Sequence, residues 1–218
     1  MKRRIIGFVL SFWMVLGWVS ANAASPEEAP LQALNALCET LVEVKGEFIQ
    51  IARSAASDRT VEERGWFAWM RPDHLRWVYE TPEKKDMIMK GNYLAFYVAA
   101  DCVIYEDPDA ATTQNNPLIE FIRSCVPDLD AVQLADYQRL KGGERWIFEP
   151  RDPAENEVSW RRFIIEWYPP SSLRFESLDW LDNRVIYLLK WESGVRPLPG
   201  DWEVTFPPEC ERMPFGEP

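Results

Sequence analysis

Gly65-Trp66-Phe67-Ala68-Trp69-Met70-Arg71-Pro72-Asp73-His74-Leu75-Arg76-Trp77-Val78-Tyr79-Glu80-Thr81-Pro82 is the stretch from which the fold of this chain can be read. On a strand every second residue faces the same way. Glu63 to Met70 therefore reads as one strand with Gly65, Phe67 and Trp69 on a single face. Arg71-Pro72-Asp73 is a tight turn, because proline fixes φ and aspartate can bond its own backbone. Leu75, Trp77 and Tyr79 then alternate with Arg76, Val78 and Glu80, which gives a second strand and a hairpin. Thr81 to Lys84 turns again.

Upstream, Leu31, Leu34, Leu37, Cys38, Leu41 and Val44 recur at spacings of three and four, which predicts a helix over 31–45 with Gly46 placed to end it. From Glu47 the period becomes two, with Phe48 and Gln50 on one face and Ile49 and Ile51 on the other; Ser54 to Thr60 is a small, polar turn. Downstream, Asp86–Lys90, Tyr93–Ala99 and Cys102–Glu106 are short strands with turns at Gly91-Asn92 and Ala100-Asp101. Asp107 to Asn115 is a polar loop. Asn116 can cap a short, very apolar helix that has Pro117 at its first position and Leu118, Ile119, Phe121 and Ile122 along it, ending near Cys125. A second helical turn is expected over Asp128–Leu134. Further strands follow at 134–140, 145–149, 161–168, 173–180, 184–191 and 202–206, with hairpin turns at Gly142-Gly143 and Asp182-Asn183, longer loops at 151–157 and 194–201, and a tail that orders only if Cys210 is bridged. An antiparallel sheet of that size curls. The expected fold class is α+β: an incomplete, strongly curved antiparallel half-barrel covered by an N-terminal helix and a short helical lid.

The first 23 residues read as an export signal: basic Lys2, Arg3 and Arg4, an apolar run from Ile5 to Val19, and small residues at Ala21 and Ala23. An uncleaved anchor is the competing reading. The expected mature protein is one domain, 24–218, soluble and periplasmic. The whole chain holds 24 basic and 35 acidic side chains, a net charge of −11; the 21 basic and 35 acidic ones beyond the signal give −14. That balance argues against binders of nucleic-acid backbones, which need basic patches. Four cysteines (Cys38, Cys102, Cys125, Cys210) suit disulfides in an oxidising compartment, in any of three pairings, or buried thiols; their wide spacing argues against zinc or redox chemistry. His74 is the only histidine and has no nucleophile signature beside it. Asp107 and Asp109 imitate a carboxylate pair in an acidic loop that is better read as solvated. No catalytic residue, metal ligand or cofactor is expected, and no enzyme; a hydrolase using acidic groups is the remote alternative.

The organisation resembles the periplasmic outer-membrane lipoprotein carrier family (LolA-like), over roughly residues 31–212. Gly46-x-Phe48-x-Gln50 follows the first helix; Gly65-x-Phe67-x-Trp69-x-Arg71-Pro72-x-x-Leu75-x-Trp77-x-Tyr79-x-x-Pro82 is similar to the family's central signature; Gly91-Asn92-Tyr93-Leu94-Ala95-Phe96-Tyr97 is similar to its next motif, and Asn116-Pro117-Leu118-Ile119 to its lid helix. The resemblance implies a monomeric chaperone that takes acyl chains of lipoproteins, or another lipid cargo, into an apolar cavity. Its implied partners are an ATP-driven inner-membrane transporter and an outer-membrane receptor. It also implies that Arg71 latches the lid, where the plain alternative is a solvated arginine or one paired with Glu80 or Asp73. Phe48, Phe67, Trp69, Leu75, Trp77, Tyr79, Leu94 and Phe96 are the expected cavity wall, and Leu118, Ile119, Phe121 and Ile122 the lid; ordinary core packing would read the same. A lipid-binding or envelope-sensing module of the same fold, carrying a different lipid or regulating a partner, is the second functional reading.

Overall fold

A computed structural model describes residues 28–108, 116–152 and 159–215. The expected signal peptide, Asp109 and most of the 107–115 and 151–157 loops lie outside the described residues. The element order is α1 (Glu28–Thr40), β1 (Glu43–Arg53), β2 (Thr60–Met70), β3 (His74–Thr81), β4 (Lys85–Lys90), β5 (Tyr93–Val98), β6 (Val103–Asp107), α2 (Pro117–Ser124), β7 (Val132–Leu140), β8 (Gly143–Pro150), β9 (Trp160–Tyr168), β10 (Ser172–Asp179), β11 (Arg184–Trp191) and β12 (Glu211–Pro214). The strands form one sheet in the order β12-β6-β5-β4-β3-β2-β1-β11-β10-β9-β8-β7. Its neighbours are antiparallel except for β12, which runs parallel to β6. The sheet stays open, with β12 at one edge and β7 at the other, and two helices cover its inner face.

Period-two patterning sorts the side chains by face. Phe67 lies opposite Trp77, Trp69 opposite Leu75, and Phe48 opposite Leu189. All six share one core with Leu34, Leu37 and Leu41 of α1 and with Leu118, Ile119, Phe121 and Ile122 of α2. That shared core shows the aromatic face to be the one beneath the helices. Gly65 sits at a register shift between β2 and β3, and a β-carbon there would stand 1.8 Å from the Val78 carbonyl oxygen. Only glycine permits that approach.

Helix α1 bridges the two halves of the sheet. Trp146 of β8 donates its indole N–H to the Pro30 carbonyl at 2.8 Å, and Trp69 of β2 donates to the Leu41 carbonyl at 3.1 Å. The helix ends at Thr40, earlier than the apolar periodicity predicts, and Glu43 already belongs to β1. Gly46 is inside that strand instead of ending the helix. A β-carbon on it would meet the Lys190 carbonyl oxygen at 2.2 Å, so it serves the pairing of β1 with β11. Helix α2 starts as expected: the Asn116 side chain accepts from the N–H groups of Leu118 and Ile119, and Pro117 opens the helix. The stretch after it makes one hydrogen-bonded turn at Asp128–Val132 and passes directly into β7.

Of the three possible cysteine pairings the structure forms Cys38–Cys125 and Cys102–Cys210. The first joins α1 to the C-terminal end of α2, so the two covering helices are one crosslinked unit. The second holds the C-terminal segment to the start of β6. The strand expected at 202–206 does not form: Val204 and Phe206 turn their side chains into a second core on the outer face with Ile88, Ala95, Ile104 and Tyr97. Pro207 and Pro208 have no N–H groups to extend a ladder. Pairing resumes only past Cys210, as β12.

The segment is also held by ionic contacts. Around the turn Pro199–Trp202, Asp201 accepts from Lys45 Nζ at 2.6 Å and from the Leu198 N–H at 2.7 Å, while Arg76 donates to the Asp201 carbonyl at 3.1 Å. Lys45 and Arg76 also lie over the Trp66 ring, at 5.2 and 5.1 Å from its centre. Burial pushes the Asp201 carboxyl up, but the Lys45 and Leu198 hydrogen bonds and the charges of Lys45 and Arg76 outweigh it and hold it below its usual value. A carboxyl lowered on folding stabilises fully above its ordinary pKa and loses that stabilisation as pH falls through the lowered value. Asp201→Asn is therefore expected to remove part of the acid-induced loss of stability, measured as denaturation midpoints from neutral pH into acid. Replacing Cys38 and Cys125 together by serine opens a link of sequence separation 87 and should cost about 2–5 kcal/mol in denaturant unfolding.

Candidate functional site

A cavity of about 640 Å3 lies between α2 and the inner face of the sheet. Its floor is Leu75, Trp77 and Tyr79 of β3, with Met87 of β4 and Leu94 and Phe96 of β5 beside them. Asn116, Pro117, Leu118, Ile119 and Ile122 form the roof. Val185 and Tyr187 of β11 make the opposite wall, and Asp179 and Asn183, at the β10–β11 turn, sit at its polar end. Asp179 is the only charged side chain among the described residues that line it. A groove of similar size, about 690 Å3, runs along the outer face, but Glu47, Arg64, Glu80, Glu166, Arg174 and Lys190 wall it. Its charges make it unsuited to an apolar ligand, and the cavity under α2 is the candidate site.

The expected cavity wall divides in two. Leu75, Trp77, Tyr79, Leu94 and Phe96 reach the cavity; Phe48, Phe67 and Trp69 pack behind it. Phe48 is 4.5 Å from Trp77 and Phe67 is 5.4 Å from it, centre to centre, so the deeper rings hold the Trp77 indole in place. Of the four residues expected to form a lid, Leu118, Ile119 and Ile122 face the cavity. Phe121 faces away, onto Phe175 at 5.9 Å, and Phe175 stacks on Phe163 at 5.7 Å. The wall from β10 and β11, and Phe215 beyond β12, escaped the reading of the sequence. Val185 and Tyr187 carried a usable signal in their period-two spacing; Phe215 carried none.

A polar cluster closes the inner face beyond Tyr79. Its hydroxyl donates to Gln50 Oε1 at 2.8 Å, Gln50 Nε2 donates to Glu63 at 3.0 Å, and Lys85 pairs with Glu63 at 2.6 Å. Burial pushes the Tyr79 hydroxyl well above its usual range, with Tyr187 and Glu63 adding to the effect. The neighbouring Trp77 N–H opposes it from close by yet lies outside hydrogen-bonding geometry. Burial, then Glu63, pushes Tyr187 up to about 12. Both phenols stay protonated at physiological pH. His74, by contrast, bonds Asp73 at 2.7 Å and meets Trp202 edge-on, away from the cavity. Among the described residues no group of three or more metal-ligating side chains forms, and no helix is long and apolar enough to cross a membrane.

Arg71 lies between the sheet and the cover. Its guanidinium is 5.7 Å from the centre of the Phe121 ring, and its backbone N–H donates to the Val42 carbonyl at 3.0 Å. Nε and Nη2 are buried without a hydrogen-bond partner. Neither Glu80 nor Asp73 pairs with it. The contact with α2 is therefore cation–π, in place of the helix-end carbonyl bonds that five donors would allow. Burial lowers its pKa to about 10, so it stays charged at neutral pH.

Comparison with solved structures finds similar folds, among them the following three. A domain of the outer membrane lipoprotein-sorting type from Vibrio parahaemolyticus is 8% identical, with 80% of this chain and 94% of that chain covered, at a TM-score of 0.44. A LolA superfamily protein from Nitrosomonas europaea is 10% identical, covering 78% and 94%, at 0.41. A DUF1329 family protein from Desulfovibrio piger is 10% identical, covering 83% and 98%, at 0.44. The comparison with curated proteins finds no match. Two disulfides fit an oxidising compartment. Residues 39–166, from the end of α1 through β9, match the family described as outer membrane lipoprotein carrier protein LolA, and the chain belongs to that family.

Proposed function

We propose that this protein is a periplasmic chaperone that shelters the acyl chains of lipoproteins in the cavity under α2 and ferries them from the inner to the outer membrane. The observation that carries the reading is an apolar cavity of about 640 Å3 roofed by Leu118, Ile119 and Ile122 in a chain of the lipoprotein carrier family. Each CH₂ taken from water contributes about 0.8 kcal/mol. Binding of that kind needs no covalent step, no cofactor and no catalytic residue. Cargo then moves by relative affinity, received from an ATP-driven transporter in the inner membrane and surrendered to a more apolar receptor in the outer one.

Arg71 has a part in this cycle. A charge held by an aromatic face, with two buried donors unbonded, is a weak closure. A weak closure suits a cover that must lift for each cargo. Arg71→Leu removes a half-buried cation with two buried, unbonded donors, a group that costs free energy to bury. The expected outcome is unchanged or higher stability with trapped or weakened cargo transfer in a reconstituted two-membrane assay; unchanged transfer overturns the latch.

The cavity volume favours a second reading. About 640 Å3 lies within the range of roughly 300–1,000 Å3 that holds one small ligand. A module that binds a single lipid fits without movement, whereas a cargo with several chains requires the cover to lift. Native mass spectrometry of the protein co-expressed with a triacylated lipoprotein separates the two. A mass shift equal to the lipoprotein supports carriage, a shift equal to one lipid supports the binding or sensing module, and no shift removes both.

A further inference from the structure

The C-terminal strand supplies part of the mouth of this cavity. Cys210 lies in the core of the outer face, bridged to Cys102. From there β12 runs along β6, with Glu211 paired to Val103 and Pro214 to Glu106. The Phe215 N–H continues the ladder to the Glu106 carbonyl at 3.0 Å, and Arg212 pairs with the Glu106 side chain. The Phe215 ring stands edge-on to Tyr105, centres 6.2 Å apart. The chain thus starts on the outer face, follows the sheet edge and delivers an aromatic ring to the cavity, which Phe215 lines together with Phe96 and Asn116.

Three observations give this ring a role. Phe215 is 41% exposed, so it stands where the cavity meets solvent and not in the packed floor. The roof is fixed at its far end, since Cys125 at the C-terminus of α2 is tied to α1 and is 1% exposed. The Asn116 end of α2, which also lines the cavity, is remote from that tie. Finally, β12 and Phe215 lie beyond residues 39–166, the span that matches the family.

We propose that Phe215 is a gate residue of the ligand cavity, positioned by the Cys102–Cys210 disulfide through β12, and that it retards the escape of an apolar ligand. The inference rests on the cavity being the ligand site. Phe215 offers apolar area to a bound chain on one side and shields the mouth from water on the other. Removing the ring leaves the floor and the roof intact, so its loss falls on the dissociation rate more than on entry. Without the disulfide, four residues of parallel pairing hold β12, and the ring loses its position.

The test uses the full exported protein and N-phenylnaphthylamine, a neutral apolar probe whose fluorescence rises in a dry site, with dissociation followed by stopped flow. Phe215→Ala is expected to raise the dissociation rate about threefold or more, and Phe215→Trp to restore it. Cys102→Ser with Cys210→Ser should raise it by a similar factor, and adding Phe215→Ala to that pair should change little further, because both remove one device. A dissociation rate within about twofold of the parent for Phe215→Ala overturns the gate, as do effects of Phe215→Ala and the cysteine pair that multiply. Should the cysteine pair fail to fold, Phe215→Ala and Phe215→Trp decide the matter alone. Absence of probe binding to the unaltered protein overturns the cavity reading itself and the gate with it.

Discussion

Aromatic side chains on the inner face of an open sheet must be kept from water, and the rest of the molecule answers that need. A closed barrel would hide its own interior; this sheet instead keeps two free edges and exposes a concave surface carrying Phe48, Phe67, Trp69, Trp77, Trp146, Phe163 and Phe175. Two helices cover it. Neither could stand alone, since short helices gain their stability from a buried face. Their anchors are correspondingly specific: indole N–H groups from opposite halves of the sheet seize the two ends of α1, and a disulfide ties α1 to α2. What the helices leave unfilled is the cavity.

Much of this was legible because period two and period three-to-four are local properties. Phe67, Trp69, Leu75 and Trp77 announced one face, and Asn116-Pro117 announced the start of α2. The sequence-based reading failed where a residue's environment comes from far away. Gly46 looked like a helix stop, yet its missing side chain answers to the Lys190 carbonyl on a strand some 140 positions later in sequence order. Residues 202–206 had the alternation of a strand, but Val204 and Phe206 were claimed by the outer core, and Pro207 and Pro208 follow directly. The parallel β12 depends on Cys210 finding Cys102, a choice among pairings that spacing does not make. Half of the cavity wall was missed for the same reason: Tyr187 faces Trp77 only because β11 docks beside β1.

The two faces of the sheet follow different chemistry. The inner face is aromatic and ends in a small bonded cluster at Tyr79, Gln50, Glu63 and Lys85. On the outer face of β8 to β11, Glu166 and Glu176 are buried at 5% exposure each and are met by Arg145, Arg174 and Arg184. Carboxylates that deeply placed need such partners. A charged outer face and an apolar inner one decide which side of the sheet the helices cover, and a one-residue slip of any strand would exchange the two.

The unclosed order of the strands has one more consequence. An exposed edge is a template for a further strand, and so for polymerisation. Here one edge is blocked by β12, only four residues long and ending in Pro214. The other, β7, is interrupted by a register shift between Leu134 and Asp136, where the Asp136 side chain bonds the Tyr137 N–H and Gln138, and it carries Arg139 outward. Shortness at one edge, and irregular pairing and charge at the other, make both poor templates for a neighbouring strand. An open sheet that hides its aromatic face under helices also needs edges that do not invite another copy of itself.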